Sequence, residues 1–156
     1  MAEIKMPKME ESEIKQLLNE QFLCRIAFKG KYPYIAPFQY AVINDNLYFH
    51  FTHYGKKMAF FKKETLVCVE IERYSANLSD YQFVVLTGKL KQVKNLDERK
   101  AAIQRMAETG HQKLSANFLA AHGLPKGSNW GDFTPDKPIL ILKLEQVTEM
   151  TGLKSP

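Results

Sequence analysis

A short run in the first half of the chain brings together residue types that bind phosphate. Thr52 stands at the end of an apolar stretch, and Gly55, Lys56 and Lys57 then open a predicted helix over 55–62. Glycine lets a ligand approach the backbone closely. The N–H groups at a helix start attract anions, and a lysine adds a full positive charge. The pattern is compatible with a phosphate site, although its spacing alone also fits an ordinary capped helix after a hairpin.

The segment Pro37, Phe38, Gln39 and Tyr40, on the strand that precedes this run, has groups that suit a flat ring. It could offer both main-chain groups and the ring faces of its aromatic residues to a planar heterocycle. Pro37 cannot donate to a sheet ladder, so it marks an edge, a bulge or an opening. A heterocycle held beside a phosphate is what FMN requires, and the two segments together are compatible with that cofactor.

Two histidines lie near this region, His50 and His53, in an H-x-x-H pattern. Residues three apart on a strand point to opposite faces, so the pair is a poor metal site, and we predict no metal. His50 is either a residue beside the cofactor or a barrel histidine with satisfied hydrogen bonds. No catalytic residue is assigned; His50 is the first candidate because it is the titratable group nearest the predicted site.

Trp130 has two possible roles, whereas Cys24 and Cys68 are expected to be structural. Trp130 lies in a loop rich in glycine and asparagine, where it is either a lid over a flat ligand or an anchor for dimer packing. Cys24 and Cys68 each lie inside an apolar run, and their spacing matches no metal or redox motif. We therefore expect both cysteines to be buried, reduced thiols.

Length and composition narrow the class of protein. A chain of 156 residues with 45% apolar and 25% charged residues is typical of one globular domain, here 1–156. It shows neither a secretory leader nor a long apolar span, so we expect a cytoplasmic protein that is not in a membrane. The net charge of +5 suits an anionic ligand. Its basic residues are scattered among acidic ones, so we predict no nucleic-acid partner.

The hydrophobic pattern predicts a mainly β protein with peripheral helices. Six mostly antiparallel strands of this length favour a closed or nearly closed barrel, because closure removes exposed sheet edges. Phe and Tyr number 10 and 7, more than a small barrel needs, so some aromatic surface is expected to face a partner or a flat ligand. Strands are predicted at 22–28, 34–43, 47–52, 66–71, 82–93 and 138–148, and helices at 11–20, 55–62, from 95, and at 113–121.

Four stretches in a fixed order resemble a known family. They are CRIAF at 24–28, YPYIAPFQY at 32–40, LYFHFTHYGKKM at 47–58 and VCVEIE at 67–72. With them, residues 6–73 resemble the FMN-binding split-barrel superfamily of pyridoxamine 5′-phosphate oxidase, in its branch of nitroimidazole-resistance-like proteins. The resemblance implies a six-stranded antiparallel split β-barrel that forms a homodimer, with FMN bound at the interface.

The resemblance also implies roles for individual residues. The strand from Pro37 to Tyr40 would lie along the isoalloxazine ring and contact its pyrimidine edge through the backbone. Lys57, together with Lys56 as the other candidate, would pair with the phosphate. Residues late in the partner chain, around the position of Trp130, would close over the ring. The residues expected near the ribityl chain and phosphate are His50, Thr52 and His53.

One departure from the family pattern limits the expected activity. The oxidases proper carry an arginine–lysine pair at the phosphate and basic substrate-binding residues near the C-terminus, whereas this chain has Lys56-Lys57 and the tail EQVTEMTGLKSP. The resemblance therefore implies an FMN-dependent oxidoreductase with a small-molecule donor and a nitroaromatic or quinone-like acceptor. Two alternatives stay open: a flavin-binding or storage module without turnover, and the same barrel adapted to haem or a deazaflavin.

Overall fold

Six strands and four α-helices make up the described part of the chain, which covers residues 2–120 and 123–156 of the computed structural model. The strands are β1 (Leu23–Phe28), β2 (Tyr34–Ile43), β3 (Asn46–Phe51), β4 (Leu66–Tyr74), β5 (Tyr81–Gln92) and β6 (Leu140–Lys154). The helices are α1 (Glu11–Glu20), α2 (Lys56–Lys63), α3 (Leu96–Lys113) and α4 (Asn117–Ala120), followed by a 3-10 turn at Trp130–Asp132. None of these helices combines the length and apolar character that crossing a membrane requires.

The strands pair antiparallel into a closed barrel in the order β1-β2-β3-β6-β5-β4, which confirms the predicted architecture. Successive side chains of a strand point to opposite faces, so every second residue enters the barrel interior. In β1, Cys24, Ile26 and Phe28 are buried, and the residues between them face outwards. Helix α1 adds Leu17 and Leu18 to the same core. Each fully buried Leu, Ile or Phe contributes about 1.5–3 kcal/mol relative to exposure, so this interior is the main source of stability.

A second core lies outside the barrel, under α3. The side chain of Asn95 begins this helix by accepting a hydrogen bond from the Glu98 N–H at 2.9 Å, as the sequence predicts. Ile103 and Met106 are fully buried on the inner face of the helix and share a cluster with Ile141 of β6. The helix therefore covers the outer surface of one side of the barrel.

Predicted boundaries are wrong in three elements, one of which is β4, predicted to end at 71 but continuing to Tyr74. The helix predicted at 113–121 is only the short α4 in the described residues, and position 121 lies outside them. The last strand continues past the predicted end at 148 because the left-handed Gln146 (φ 49°) and a register shift between Thr87 and Lys89 redirect it. After that irregularity, β6 pairs with β5 again as far as its own end.

The ladder between β2 and β3 is incomplete, which leaves a local opening in the otherwise closed barrel. Strand β2 pairs with β1 from Tyr34 to Gln39, but it pairs with β3 only from Tyr40 to Ile43. The first half of β2 therefore has a sheet edge without a β3 partner, although β3 itself continues to Phe51. Of the three roles predicted for Pro37, the edge and the opening are both observed. A proline fits here because the missing N–H interrupts no ladder.

Candidate functional site

A cleft of about 160 Å³ lies where β2 and β3 separate, under the start of α2. Both strands and the helix contribute to its walls, so it depends on the opening in the barrel. We call it the β2–β3 cleft, and its lining residues are Tyr34, Phe38, His50, Phe51, Thr52, Tyr54, Gly55, Lys56 and Lys57.

The start of α2 presents main-chain donors to the cleft. Gly55 is the N-cap residue with φ 92°, a left-handed conformation that favours glycine. The first hydrogen bond across the helix start runs from the Ala59 N–H to the Gly55 carbonyl at 3.1 Å, so the N–H groups of residues 56–58 precede it. Within residues 2–120 and 123–156, no side chain caps this helix. These N–H groups suit an anion.

Two lysines place positive charge at the cleft. The Lys57 ammonium lies 4.5 Å from the centre of the Phe38 ring, and that of Lys56 lies 4.5 Å from the centre of the Tyr34 ring. Partial burial lowers the pKa of Lys57, because desolvation disfavours the charged amine. Among the described residues, no carboxylate lies within 4.0 Å of either ammonium group. The cleft therefore carries positive charge without an acidic partner.

Thr52 and His53 hold the chain between β3 and α2. The Thr52 hydroxyl donates to the Tyr54 carbonyl at 2.7 Å, so it shapes the turn and still leaves its oxygen to the cleft. The Nε2 atom of His53 lies 2.9 Å from the Pro138 carbonyl oxygen, which ties this turn to the segment before β6. The structure thus brings Thr52 to the cleft but does not bring His53 there.

His50 lies between two cavities. It is 6% exposed on the outer side of β3, and its ring meets the Phe133 ring edge-on at 5.2 Å between centres. It lines the β2–β3 cleft and also a larger cavity of about 750 Å³, which we call the loop cavity. The loop cavity is formed by residues 50–54, 123–128 and 137–139 together with Asp132. His50 therefore has access to both spaces.

The predicted ring-binding segment of β2 requires a correction. The rings of Phe38 and Tyr40 point into the barrel, where they are fully buried, so they cannot stack on a ligand outside it. The Tyr40 hydroxyl donates to the Leu18 carbonyl at 2.7 Å, and burial raises its pKa. Gln39 faces the other way and donates to the Met106 carbonyl at 2.9 Å. The exposed Pro37 and the main-chain edge remain available.

Trp130 also has a different role from either predicted one. Its side chain is 6% exposed, and its indole N–H donates to the Leu114 carbonyl at 3.1 Å. The ring lies against Gly110 of α3, where an added Cβ would be 2.3 Å from it. Trp130 is thus a packing residue inside the chain, neither a lid nor an exposed anchor. The helical Gly110 is the one sequence signal that could have indicated this close approach.

The loop cavity contains residues that sequence reasoning missed. Lys126 and Lys137 line it together with apolar residues such as Leu124 and Ile139. No periodicity or motif could have identified them, because they come from an irregular loop that the fold brings next to β3. Among the described residues, no group of three or more His, Cys, Asp or Glu side chains is placed to hold a metal ion.

The two cysteines differ in burial. Cys24 is buried in the barrel as predicted, and burial raises the pKa of its thiol, which therefore stays protonated. Cys68 is only half-buried on the outer side of β4, so its predicted burial is wrong. Both thiols are free.

The fold is a β-barrel that is split between two of its strands, with a cleft lined by Lys56 and Lys57 at the opening. The chain belongs to the pyridoxamine 5′-phosphate oxidase family, whose sequence model matches residues 10–121. Among curated protein sequences, none matches this chain.

Solved structures with a similar fold have low sequence identity to this chain. A FAD-binding protein from Mesorhizobium loti is 16% identical with a TM-score of 0.70, and the match covers 96% of each chain. The FAD-binding protein from Mycobacterium smegmatis is 17% identical with a TM-score of 0.61, covering 95% of this chain and 97% of the other. A NimC/NimA family protein from Clostridium acetobutylicum is 14% identical with a TM-score of 0.58, covering 91% and 92%. These similarities establish the fold.

Proposed function

We propose that this protein is a flavoprotein that binds FMN non-covalently and transfers electrons or hydride through it. The observation that carries the proposal is the β2–β3 cleft, which combines uncapped helix N–H groups with two lysines that lack acidic partners. Two solved structures with this fold are of proteins named as FAD-binding, which supports a flavin ligand. The cofactor supplies the redox chemistry when it is bound.

The cleft suits a phosphate group in particular. A phosphate monoester carries about two negative charges and accepts several hydrogen bonds at neutral pH. Lys56 and Lys57, whose main-chain N–H groups precede the first helical hydrogen bond, line one opening together with Thr52. Lys57 is the stronger candidate, because it is half-buried and a phosphate would compensate for its desolvated charge.

The ring of the cofactor would lie along the open edge of β2. This edge, near Pro37 and Gln39, has no β3 partner and can present main-chain N–H and carbonyl groups to a heterocycle. In this arrangement the backbone orients the ring, and the aromatic core behind it supports the strand. The chain contributes contacts by its main chain rather than by the predicted ring stacking.

We also propose that two copies of the chain form a homodimer that covers this edge. The outer faces of β1, β2 and β4 carry exposed apolar side chains in the part of the chain that includes Pro37. Leu23 is 42% exposed, Ile35 is 61% exposed and Leu66 is 51% exposed. Exposed apolar side chains on the outer face of a sheet favour association, and the Arg25 ion pairs with Glu70 and Glu72 add a polar part to this face. A second copy would exclude water from the ring.

His50 is the candidate for moving a proton during turnover. It lies between the β2–β3 cleft and the loop cavity, so it could face the cofactor on one side and a small acceptor on the other. A nitroaromatic or quinone-like acceptor takes up protons with its electrons, and a histidine can supply one near neutral pH. We place the activity in the cytoplasm, where free thiols such as Cys24 and Cys68 stay reduced.

Anaerobic reduction and reoxidation of the protein loaded with FMN would test this function. We expect NADH or NADPH to bleach the flavin absorbance, and a nitroaromatic or quinone to restore it over repeated cycles. Flavin that stays oxidised with every donor would instead support a binding or storage module. Loading with haem or a deazaflavin in parallel would show whether the barrel is adapted to another cofactor.

A further inference from the structure

A second basic cavity lies between the β1–β2 turn and α2. It has a volume of about 590 Å³ and is formed by the β1–β2 turn and the first and last turns of α2. Its walls combine lysines with aromatic rings, and apart from Lys56 and Tyr34 its lining residues take no part in the β2–β3 cleft. We call it the turn pocket, and its lining residues are Lys29, Gly30, Lys31, Tyr32, Pro33, Tyr34, Lys56, Phe60, Lys63 and Glu64.

Positive charge dominates the turn pocket. Four lysines face a single carboxylate, that of Glu64, and this carboxylate already accepts a hydrogen bond from the Leu66 N–H at 3.1 Å. In the parts of the chain that the structure describes, none of these four ammonium groups has a carboxylate within 4.0 Å. Several uncompensated ammonium groups around one cavity attract a ligand with more than one negative charge.

The aromatic residues of the pocket are of two kinds: Tyr34 and Phe60 pack against each other, and Tyr32 is exposed. Tyr34 and Phe60 stack with 5.3 Å between ring centres and 9° between ring planes. Gly30 packs so closely on Phe60 that an added Cβ would lie 2.5 Å from that ring, which fixes the turn against α2. Tyr32 is 76% exposed, with the Lys31 ammonium 5.7 Å from its ring centre. An exposed ring beside a cation suits a stacked heterocyclic base.

We propose that the turn pocket binds a nucleoside polyphosphate, with its phosphates among the lysines and its base on the Tyr32 ring. Lysines alone would suit any polyanion, but the exposed ring adjacent to them favours a ligand that also has a flat base. The pocket adjoins the β2–β3 cleft, because Lys56 and Tyr34 line both, but Lys31, Tyr32 and Lys63 line the pocket alone. This inference does not depend on flavin binding.

Calorimetric titration of the full-length protein with ATP, tripolyphosphate and adenosine would test the proposal. We expect ATP to bind more tightly than tripolyphosphate, and adenosine to bind weakly. The double variant K31Q/K63Q should lose ATP affinity by about tenfold or more, because it removes two charge-assisted contacts. Tyr32→Leu should bring ATP down to the level of tripolyphosphate. Lys62→Gln, on the same helix but outside the pocket lining, is the matched control.

Several outcomes would overturn the proposal. An equal loss of ATP affinity in K62Q and K31Q/K63Q would indicate only general attraction to a basic protein. Competition between FMN and ATP, with an ATP affinity that K31Q/K63Q leaves unchanged, would place ATP in the β2–β3 cleft instead. Displacement of ATP by an equal phosphate concentration of duplex DNA or of anionic vesicles would identify a macromolecular surface. Flavin binding is measured separately, so failure of either proposal can be recognised.

Discussion

Replacing Lys57 with methionine removes the half-buried charge at the β2–β3 cleft and keeps much of the side-chain volume. The lysine ammonium has no carboxylate within 4.0 Å in the described residues, and it lies over the Phe38 ring at 4.5 Å. Its expected partner is therefore the ligand phosphate rather than another part of the chain. The substitution should weaken phosphate binding without breaking an internal ion pair.

The size of the effect follows from the contact that is lost. A hydrogen bond to a charged group contributes about 1.5–3 kcal/mol, which corresponds to a loss of FMN affinity of roughly 10- to 150-fold. Riboflavin lacks the phosphate, so its affinity should change by no more than about twofold, well under 1 kcal/mol. The protein without cofactor should be at least as stable as before, because burial disfavours the lysine charge.

Fluorescence titration with FMN and riboflavin measures both affinities under one set of conditions. Lys62→Met is the matched control, because Lys62 lies in the last turn of the same helix and does not line the cleft. It should leave the ratio of the two affinities unchanged. Equal losses for FMN and riboflavin in the Lys57 variant would refute the assignment of the phosphate to this cleft.

Three other predictions concern pH, packing and assembly. Burial lowers the pKa of Lys57, and the neutral amine no longer attracts phosphate. The preference for FMN over riboflavin should therefore decline with rising pH at a lower pH than that at which an ordinary lysine titrates. The decline should be absent in Lys57→Met, and its persistence in that variant would refute this cause. Gly110→Ala should lower the free energy of unfolding in urea by about 1–3 kcal/mol, because the added Cβ would lie 2.3 Å from the Trp130 ring; an unchanged midpoint would contradict this packing. Ile35→Lys should convert the proposed dimer to a monomer in light scattering, as it places a charge on the exposed apolar face, whereas a wild-type protein that is monomeric would already refute the dimer.

The architecture was predictable because strand and helix periods are local signals. The alternation in β1 and the Asn95 cap of α3 depend on nearby residues, and both agree with the structure. The length of β6 was not predictable. It depends on the left-handed Gln146 and on pairing with β5 after a register shift, which are relations between distant parts of the chain.

Sequence reasoning identified several residues of the candidate site, but it did not predict the directions in which their side chains point. Lys56 and Lys57 open a helix beside the opening in the sheet, as predicted. This was predictable because Gly55 and Pro37 are local signals for a helix start and for an interrupted strand pairing. The side of β2 to which Phe38 points is set by strand register, and a shift of one residue would reverse it. The burial of Trp130 depends on Gly110, twenty positions earlier, so sequence reasoning had no local reason to expect it.

The visible spectrum of the protein after incubation with FMN and passage through a desalting column tests the central claim most directly. We predict that a two-banded flavin spectrum is retained at about one FMN per chain, because the cofactor's phosphate and ring are each held by groups on the chain. A protein that emerges without flavin would contradict the claim that the β2–β3 cleft is a flavin phosphate site.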